Sequence, residues 1–333
     1  MIKCKETNGG IQLSKPKVYI TRNLPDEIIE PYKGDLDIEM WPEKEVPVDR
    51  HILLEHARTS EGLLTMLTDS VDKELLQQSE NLSIVANMAV GYDNVDVVRA
   101  RKKNVAVSNT PDVLTETTAD LTFCLLMATA RRLVEANQYI KDNQWKNWSP
   151  LMLAGSDIHG KTIGIVGMGR IGEAVAKRAK GFGMKVLYHN RSRKKEVEEN
   201  LGAIYTAFDS LLEQADYVVC LTPLTDETRH MFDASAFKKM KTEAFFINVS
   251  RGGTMDEQAL YRAITDNEIA GAGLDVFEEE PILSNHPLLA LPEVICLPHI
   301  GSATKETRYK MMTLSLDNLV RHFQGKPLLT PVT

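Results

Sequence analysis

Three short segments in the second half of the chain place reactive side chains at the ends of strand-like runs. They are Asn248-Val249-Ser250-Arg251-Gly252-Gly253, Asp275-Val276-Phe277-Glu278-Glu279-Glu280-Pro281 and Pro298-His299-Ile300-Gly301-Ser302-Ala303-Thr304. A guanidinium is a planar, permanently charged fork that pairs with carboxylates. An imidazole exchanges protons near neutral pH, and a carboxylate beside it favours its charged form. In open α/β sheets the ligand crevice lies outside the carboxyl ends of the strands. An arginine, a carboxylate and a histidine converging there form a site rather than a scatter of surface charges. Residue type alone leaves Glu278, Glu279 and Glu280 as equal candidates for the carboxylate. The plainer alternatives are a helix cap for Arg251, a satisfied hinge histidine for His299 and a solvated acidic loop for the glutamates. The other seven histidines have no comparable setting.

A second kind of chemistry is written upstream. Gly167-Met168-Gly169-Arg170-Ile171-Gly172 follows the strand-like run TIGIV and opens a predicted helix over 171–182. In that context Gly167 permits a tight turn and Gly169 lets backbone N–H groups approach a pyrophosphate. Gly172 lets the helix pack closely, with its positive end toward the phosphates. The next strand-like run ends in His189-Asn190-Arg191-Ser192-Arg193-Lys194, with no carboxylate where an NAD-preferring site places one for the ribose 2′-hydroxyl. A guanidinium and a hydroxyl there suit a 2′-phosphate, and cations at a helix start gain little without an anion. The pattern favours NADP, with NAD as the second possibility.

The elements that must carry these residues are readable in outline. Strand-like runs at 17–21, 62–67, 82–88 and 105–109 alternate with helical patterns that start near Pro25, at Ser70 as N-cap and near Asn94. After Asn109-Thr110-Pro111 comes one long predicted helix, 115–140, and then the segment DNQWKNWSP. Six further runs follow: TIGIVGM, KVLYHN, YVVCL, AFFINVS, AGLDVF and VICLPHI. A doubly wound nucleotide-binding domain needs about that many. A last amphipathic helix, 304–323, offers Met311, Leu314, Leu319 and Phe323 to the first domain. The expectation is an α/β protein of two doubly wound parallel-sheet domains with a cleft between them. A flavodoxin-like substrate domain comprises 17–109 plus 302–333, a Rossmann cofactor domain comprises 110–301, and 1–16 form a flexible N-terminal extension.

Composition sets the outer bounds. A chain of 333 residues with 43% hydrophobic and 26% charged residues is an ordinary globular protein of roughly two domains. The net charge of −7 argues against a nucleic acid or an anionic membrane as the main partner. The longest apolar stretch, 121–130, is far shorter than the roughly 20 residues a spanning helix needs. The N-terminus lacks a signal-peptide core. Cys4, Cys124, Cys220 and Cys296 have no metal-like spacing, so no metal is expected and the location expected is cytoplasmic.

Seven segments together carry a resemblance: AVGYDNVDV (89–97), GMGRIG (167–172), NRSRK (190–194), LTPLTDET (221–228), NVSRGG (248–253), GLDVFEEEP (273–281) and PHIGSAT (298–304). From about Lys17 to its end the chain resembles the D-isomer-specific 2-hydroxyacid dehydrogenases, and within them most closely the glyoxylate/hydroxypyruvate reductases. The resemblance implies that Arg251 pairs with the substrate carboxylate and polarises the C2 carbonyl. It implies that His299 donates a proton to the carbonyl oxygen as hydride arrives, and that Glu280, directly before Pro281, is the carboxylate that sustains its protonation. The backbone N–H groups of Val90 and Gly91 would hold the substrate carboxylate. Gly167, Met168, Gly169, Arg170, Ile171, Gly172, Asn190, Arg191, Ser192, Arg193, Thr222, Val249, Ser250, Asp275 and Gly301 would line the cofactor. The helix starting near Thr115 is long, has many apolar positions and leads into the Trp-rich arm, which predicts a homodimer built largely through it, and the resemblance implies that Trp148 reaches the neighbouring subunit's site.

Other activities fit parts of this pattern. A 2-ketogluconate reductase of the same family needs only a roomier pocket. Formate dehydrogenases of the family have Gln where Glu280 stands, and phosphoglycerate dehydrogenases often carry a further C-terminal domain. A nucleotide-sensing, corepressor-like binding protein uses the same fold without turnover, because fold does not fix function. Its long tails have no counterpart after Gln324.

Overall fold

The structure is a computed structural model, and it describes residues 14–332. Most of the predicted N-terminal extension, residues 1–13, lies outside the described residues. The described chain divides into two compact units, one running to Leu114 and resuming at Thr304, the other Thr115–Ala303.

The first unit is built on five parallel strands: β1 (Lys17–Ile20), β2 (Asp37–Met40), β3 (Gly62–Thr65), β4 (Ile84–Asn87) and β5 (Ala106–Ser108). Their order, β2-β1-β3-β4-β5, is the flavodoxin-like one. β3 and β4 are buried at every position, each an apolar run that ends in one buried polar residue, Thr65 and Asn87. β2 and the helix Arg50–Thr59 have no clear signal in the sequence pattern. β2 is an edge strand of sequence DIEM with alternate residues exposed, so pairing with β1 makes it a strand, not propensity. Helix starts also moved. Asp72, rather than Ser70, caps the helix Lys73–Gln78 by accepting the Leu75 N–H at 3.0 Å. Asp96 caps Val97–Lys102 in the same way, through the Arg99 N–H. The C-terminal helix Lys305–Phe323, capped by Thr304, packs on β3 and β4 with Met311, Leu316 and Leu319 buried.

The second unit holds seven parallel strands: β6 (Thr162–Val166), β7 (Lys185–His189), β8 (Ile204–Tyr205), β9 (Tyr217–Cys220), β10 (Phe245–Asn248), β11 (Gly271–Leu274) and β12 (Val294–Cys296). The order β12-β11-β10-β9-β6-β7-β8 reverses direction between β6 and β9, which is the switch point of a Rossmann sheet. The six anticipated strands are present, and β8 is a two-residue addition at the edge.

The single helix expected over 115–140 is two helices, Thr115–Ala130 and Leu133–Lys141. Arg132 takes φ +53°, in the left-handed region that ends an α-helix. The carbonyl of Ala130 accepts from Ser156 N–H at 2.8 Å, and Gly155 approaches it so closely that a Cβ there would lie 2.2 Å from that oxygen. The returning chain thus takes the hydrogen bond the helix would have used to continue. Thr115–Ala130 is buried on several faces, whereas Leu133–Lys141 has no buried residue. Among the described residues no helix is long and apolar enough to cross a membrane.

Candidate active site

At the carboxyl end of β6 the chain turns at Gly167 with φ +104°, a conformation that suits glycine. A Cβ there would come within 2.6 Å of the Leu221 backbone, so the turn is pressed against the residues that follow β9, at the switch point of the sheet. A Cβ on Gly172 would lie 2.4 Å from the Gly167 carbonyl oxygen, which lets the helix Arg170–Gly181 start directly on the turn. Gly169, its N-cap, has nothing within 4 Å of an added Cβ and makes no side-chain cap. Two glycines are thus required by close packing and the middle one faces open space. Uncapped N–H groups over open space fit a pyrophosphate. Met168, expected among the cofactor residues, is fully buried in the core, and Ile171 also packs on it.

The segment after β7 does not present its two arginines equally. Arg193 spends its fork on Glu198, with Nε–Oε1 and Nη2–Oε2 both at 2.7 Å. Glu198 also accepts from the Tyr188 hydroxyl at 2.7 Å. The Arg193 hydrogen bond, then that of Tyr188, holds the Glu198 carboxyl down at about 2. The Arg191 guanidinium makes no hydrogen bond or ion pair among the described residues, and Arg191 and Ser192 are exposed. Asn190 closes the segment by donating to the Ser192 carbonyl at 3.1 Å.

Beyond β10 the buried Asn248 knits the loop that carries Arg251. Its Oδ1 accepts from the Ser250 N–H and hydroxyl at 3.1 and 2.8 Å, and its Nδ2 donates to the Arg251 carbonyl at 3.2 Å. Arg251 Nη1 in turn donates to the Ser250 carbonyl at 2.9 Å. A Cβ on Gly252 would lie 1.8 Å from the Phe277 carbonyl carbon, so this loop lies backbone to backbone against the acidic segment after β11. Cys220 at the end of β9 contacts the hydroxyls of Thr222, Ser250 and Thr254 at 3.5, 3.3 and 3.4 Å. Val249 is buried in the core.

In the acidic segment contacts separate Glu280 from Glu278. Glu280 Oε2 lies 2.7 Å from His299 Nδ1, while Oε1 accepts from the Phe277 N–H at 3.0 Å. Glu278 turns away to His230 Nε2 at 2.6 Å, and its own N–H is held by Glu257 at 2.8 Å. His299 and Glu280 are each about a quarter exposed, 24% and 23% of their side chains. His299 takes φ +53°, uncommon for a residue with a side chain. The reversal turns the next two N–H groups onto Asp275, with Ile300 N–Oδ1 2.7 Å and Gly301 N–Oδ2 2.8 Å. Asp275 is fully buried, and burial raises its carboxyl above the usual range against the pull of those two donors and His299. The imidazole is thus fixed at both ends: its backbone by Asp275 and its Nδ1 by Glu280. Nε2 is left as the nitrogen able to give a proton.

Val90 and Gly91 lie in the first unit, in the loop after β4. Asn248 has only a weak signal in the sequence, a polar residue ending an otherwise apolar run, FFIN.

A family model described as "D-isomer specific 2-hydroxyacid dehydrogenase, NAD binding domain" matches residues 123–301. The chain is 49% identical to the glyoxylate reductase of Thermococcus litoralis over 94% of this chain and 95% of that protein. It is 45% identical to the glyoxylate reductase of Korarchaeum cryptofilum over 94% of each. Among solved structures it is similar to an NADPH-dependent glyoxylate/hydroxypyruvate reductase from Sinorhizobium meliloti in complex with NADP and malonate. That match has a TM-score of 0.84, 35% identity and coverage of 96% of this chain and 97% of that one.

Proposed function

The chain belongs to the D-isomer specific 2-hydroxyacid dehydrogenases, a family of oxidoreductases, and on that premise we propose that it is an NADPH-preferring reductase of small 2-oxo acids. Glyoxylate and hydroxypyruvate are the substrates proposed, with D-2-hydroxy acids as products. The observation that carries the reading is the 2.7 Å contact of Glu280 with His299, one strand away from the loop of Arg251.

A bound nicotinamide cofactor supplies the hydride to C2 of the substrate. His299 Nε2 gives its proton to the carbonyl oxygen, and Glu280 keeps Nδ1–H engaged and stabilises the charged ring before transfer. Arg251 pairs with the substrate carboxylate and draws electron density from the C2 carbonyl. Within the first unit, the N–H groups of Val90 and Gly91 are the carboxylate donors we propose. Gly167 to Gly172 would receive the pyrophosphate, Ser250 would line the nicotinamide side with the buried Asp275, Val249 and Gly301 supporting it from behind, and Thr222 would lie along the cofactor. Arg191, with Ser192 and Asn190, takes the 2′-phosphate, and its uncommitted guanidinium supports a preference for NADP over NAD.

We further propose a homodimer in a reducing, cytoplasmic setting. Leu133, Val134, Ile140, Trp145, Trp148 and Leu151 are all more than half exposed, Leu151 at 82%, on one short stretch of chain. Apolar exposure of that kind marks an interaction surface. It lies on the helix Leu133–Lys141 and the segment after it, beyond the buried helix that starts at Thr115. Cys124, Cys220 and Cys296 are free thiols.

A side-by-side assay of glyoxylate, hydroxypyruvate and 2-ketogluconate with NADPH and NADH tests the reading. The expected result is the highest kcat/KM for one of the first two acids with NADPH. A higher value for 2-ketogluconate, or with NADH, would overturn the corresponding part.

A further inference from the structure

The turn that carries Glu280 is held from outside by another carboxylate, Glu257. This is the first residue of the helix Glu257–Thr265, a position where an acidic side chain ordinarily stays in solvent and complements the helix dipole. The helix has its own cap in Asp256, whose Oδ1 accepts from the Ala259 N–H at 2.9 Å. Glu257 instead turns inward, with only 13% of its side chain exposed, and divides its oxygens between two other segments. Oε1 accepts from the Glu278 N–H at 2.8 Å, and Oε2 lies 3.2 Å from His286 Nε2. Burial raises the Glu257 carboxyl above its usual range, and the Glu278 N–H and His286 pull it back. A carboxylate withdrawn from water at that cost depends on these partners.

One partner anchors the carboxylate and the other is oriented by it. His286 Nδ1 accepts from the Leu288 N–H at 3.4 Å, so Nε2 is the nitrogen that turns a hydrogen toward Glu257. Leu288 is fully buried in the core, which fixes that end. At the other end the Phe277–Glu278 peptide is held on two sides. A Cβ on Gly252 would lie 1.8 Å from its carbonyl carbon and 2.3 Å from its nitrogen, and Glu257 takes its hydrogen. The peptide before it gives the Phe277 N–H to Glu280 Oε1 at 3.0 Å, and Glu280 Oε2 meets His299 Nδ1 at 2.7 Å. Residues 277–280 are thus a turn closed by the Glu280 side chain and clamped at its middle by Glu257.

We infer that Glu257 is a positioning residue for the proton-donor pair: by holding the Phe277–Glu278 peptide it sets the turn from which Glu280 reaches His299. The inference rests on the reading that His299 and Glu280 supply the proton, and it acts through the Glu278 backbone rather than its side chain. The titratable groups that face Glu257 are His286, Glu278 and Cys296, and those that face His299 are Glu280 and Asp275. Two substitutions separate the hydrogen bond from the charge. Glu257→Asp keeps a carboxylate at the helix start, where Asp is well suited, but withdraws it by one methylene and out of reach of the Glu278 N–H. Glu257→Gln removes the charge, yet its carbonyl oxygen can still accept that N–H.

The His299 ring is followed directly by NMR titration of histidine-labelled, NADP-loaded protein, its resonance assigned by its loss in His299→Gln. Glu257→Asp should lower the titration midpoint by about 0.5 or more, about threefold in proton affinity, because a misplaced Glu280 stabilises the charged ring less well. Glu257→Gln should keep the native midpoint. Glu257→Asp combined with Glu280→Gln should titrate like Glu280→Gln alone, since a residue that acts through Glu280 then has nothing left to act on. With glyoxylate and saturating NADPH, Glu257→Asp should lower kcat about three- to tenfold and bring down the alkaline limb of the pH profile. KM for glyoxylate and the dissociation constant for NADPH should stay native. Three results would overturn the inference: a native midpoint in Glu257→Asp, a midpoint lowered by Glu257→Gln but not by Glu257→Asp, or a further fall in the double variant beyond Glu280→Gln. If the midpoints move as expected but the enzyme reduces neither glyoxylate nor hydroxypyruvate, the substrate reading fails and this one stands.

Discussion

Replacing Glu280 with Gln isolates the charge of one side chain while keeping its shape. The Gln carbonyl oxygen can keep the 3.0 Å bond from the Phe277 N–H, which leaves its NH2 facing His299 Nδ1 where a carboxylate oxygen stood at 2.7 Å. An NH2 group can donate to a neutral ring through Nδ1 but opposes the doubly protonated ring. The imidazolium therefore loses a charge-assisted hydrogen bond of about 1.5–3 kcal/mol. Each 1.36 kcal/mol is about tenfold in rate, so reduction at neutral pH should slow by roughly ten- to a hundredfold. The quarter exposure of both side chains favours the lower end, because water screens part of the charge. The assay is single-turnover decay of NADPH absorbance with saturating glyoxylate, alongside the isotope effect of deuterated NADPH. Binding of NADPH and the melting temperature should remain native. A Glu280→Gln protein within about twofold of the native rate, while the isotope effect shows hydride transfer to be rate-limiting, would refute the pairing as the source of proton supply. Glu278→Gln is the matched control and should change little, since its partner is His230.

Four further outcomes are expected. Arg251→Lys keeps the charge but loses the fork, so steady-state kinetics should show a higher KM for glyoxylate together with a lower kcat. Arg191→Ala should raise KM for NADPH about tenfold with little change for NADH, whereas Arg193→Ala should have the smaller effect, because its guanidinium is engaged by Glu198; equal effects on both cofactors would remove the 2′-phosphate assignment. Burial lowers the imidazole of His322, in the last turn of the C-terminal helix, below its ordinary value. Its stabilising contribution is therefore complete above the unfolded-state value of about 6.5 and is lost as pH falls below that toward the folded-state value, so melting temperature should drop across that window and His322→Gln should flatten the drop. Light scattering should give twice the chain mass at micromolar concentration, with Trp148→Ala and Leu151→Ala together shifting the protein toward monomer.

Strong local patterns were legible in the chain itself. The buried strands of both sheets are short apolar runs whose burial on both faces leaves no alternation to misread, and the glycine turn needs its residues for reasons of backbone space alone. The positions of Arg251 and His299 at strand ends also follow from one-dimensional order, because a parallel sheet puts every carboxyl end on the same side. Tertiary structure decided what depends on partners distant in sequence. DIEM is a strand because β1 lies beside it, and the helix after Thr115 stops at Ala130 because Ser156 returns to take its carbonyl. Three adjacent glutamates are chemically alike in a sequence, and only the fold sends Glu280 to His299 and Glu278 to His230. Likewise Arg191 and Arg193 look interchangeable until Glu198, one helical turn further on, claims one of them.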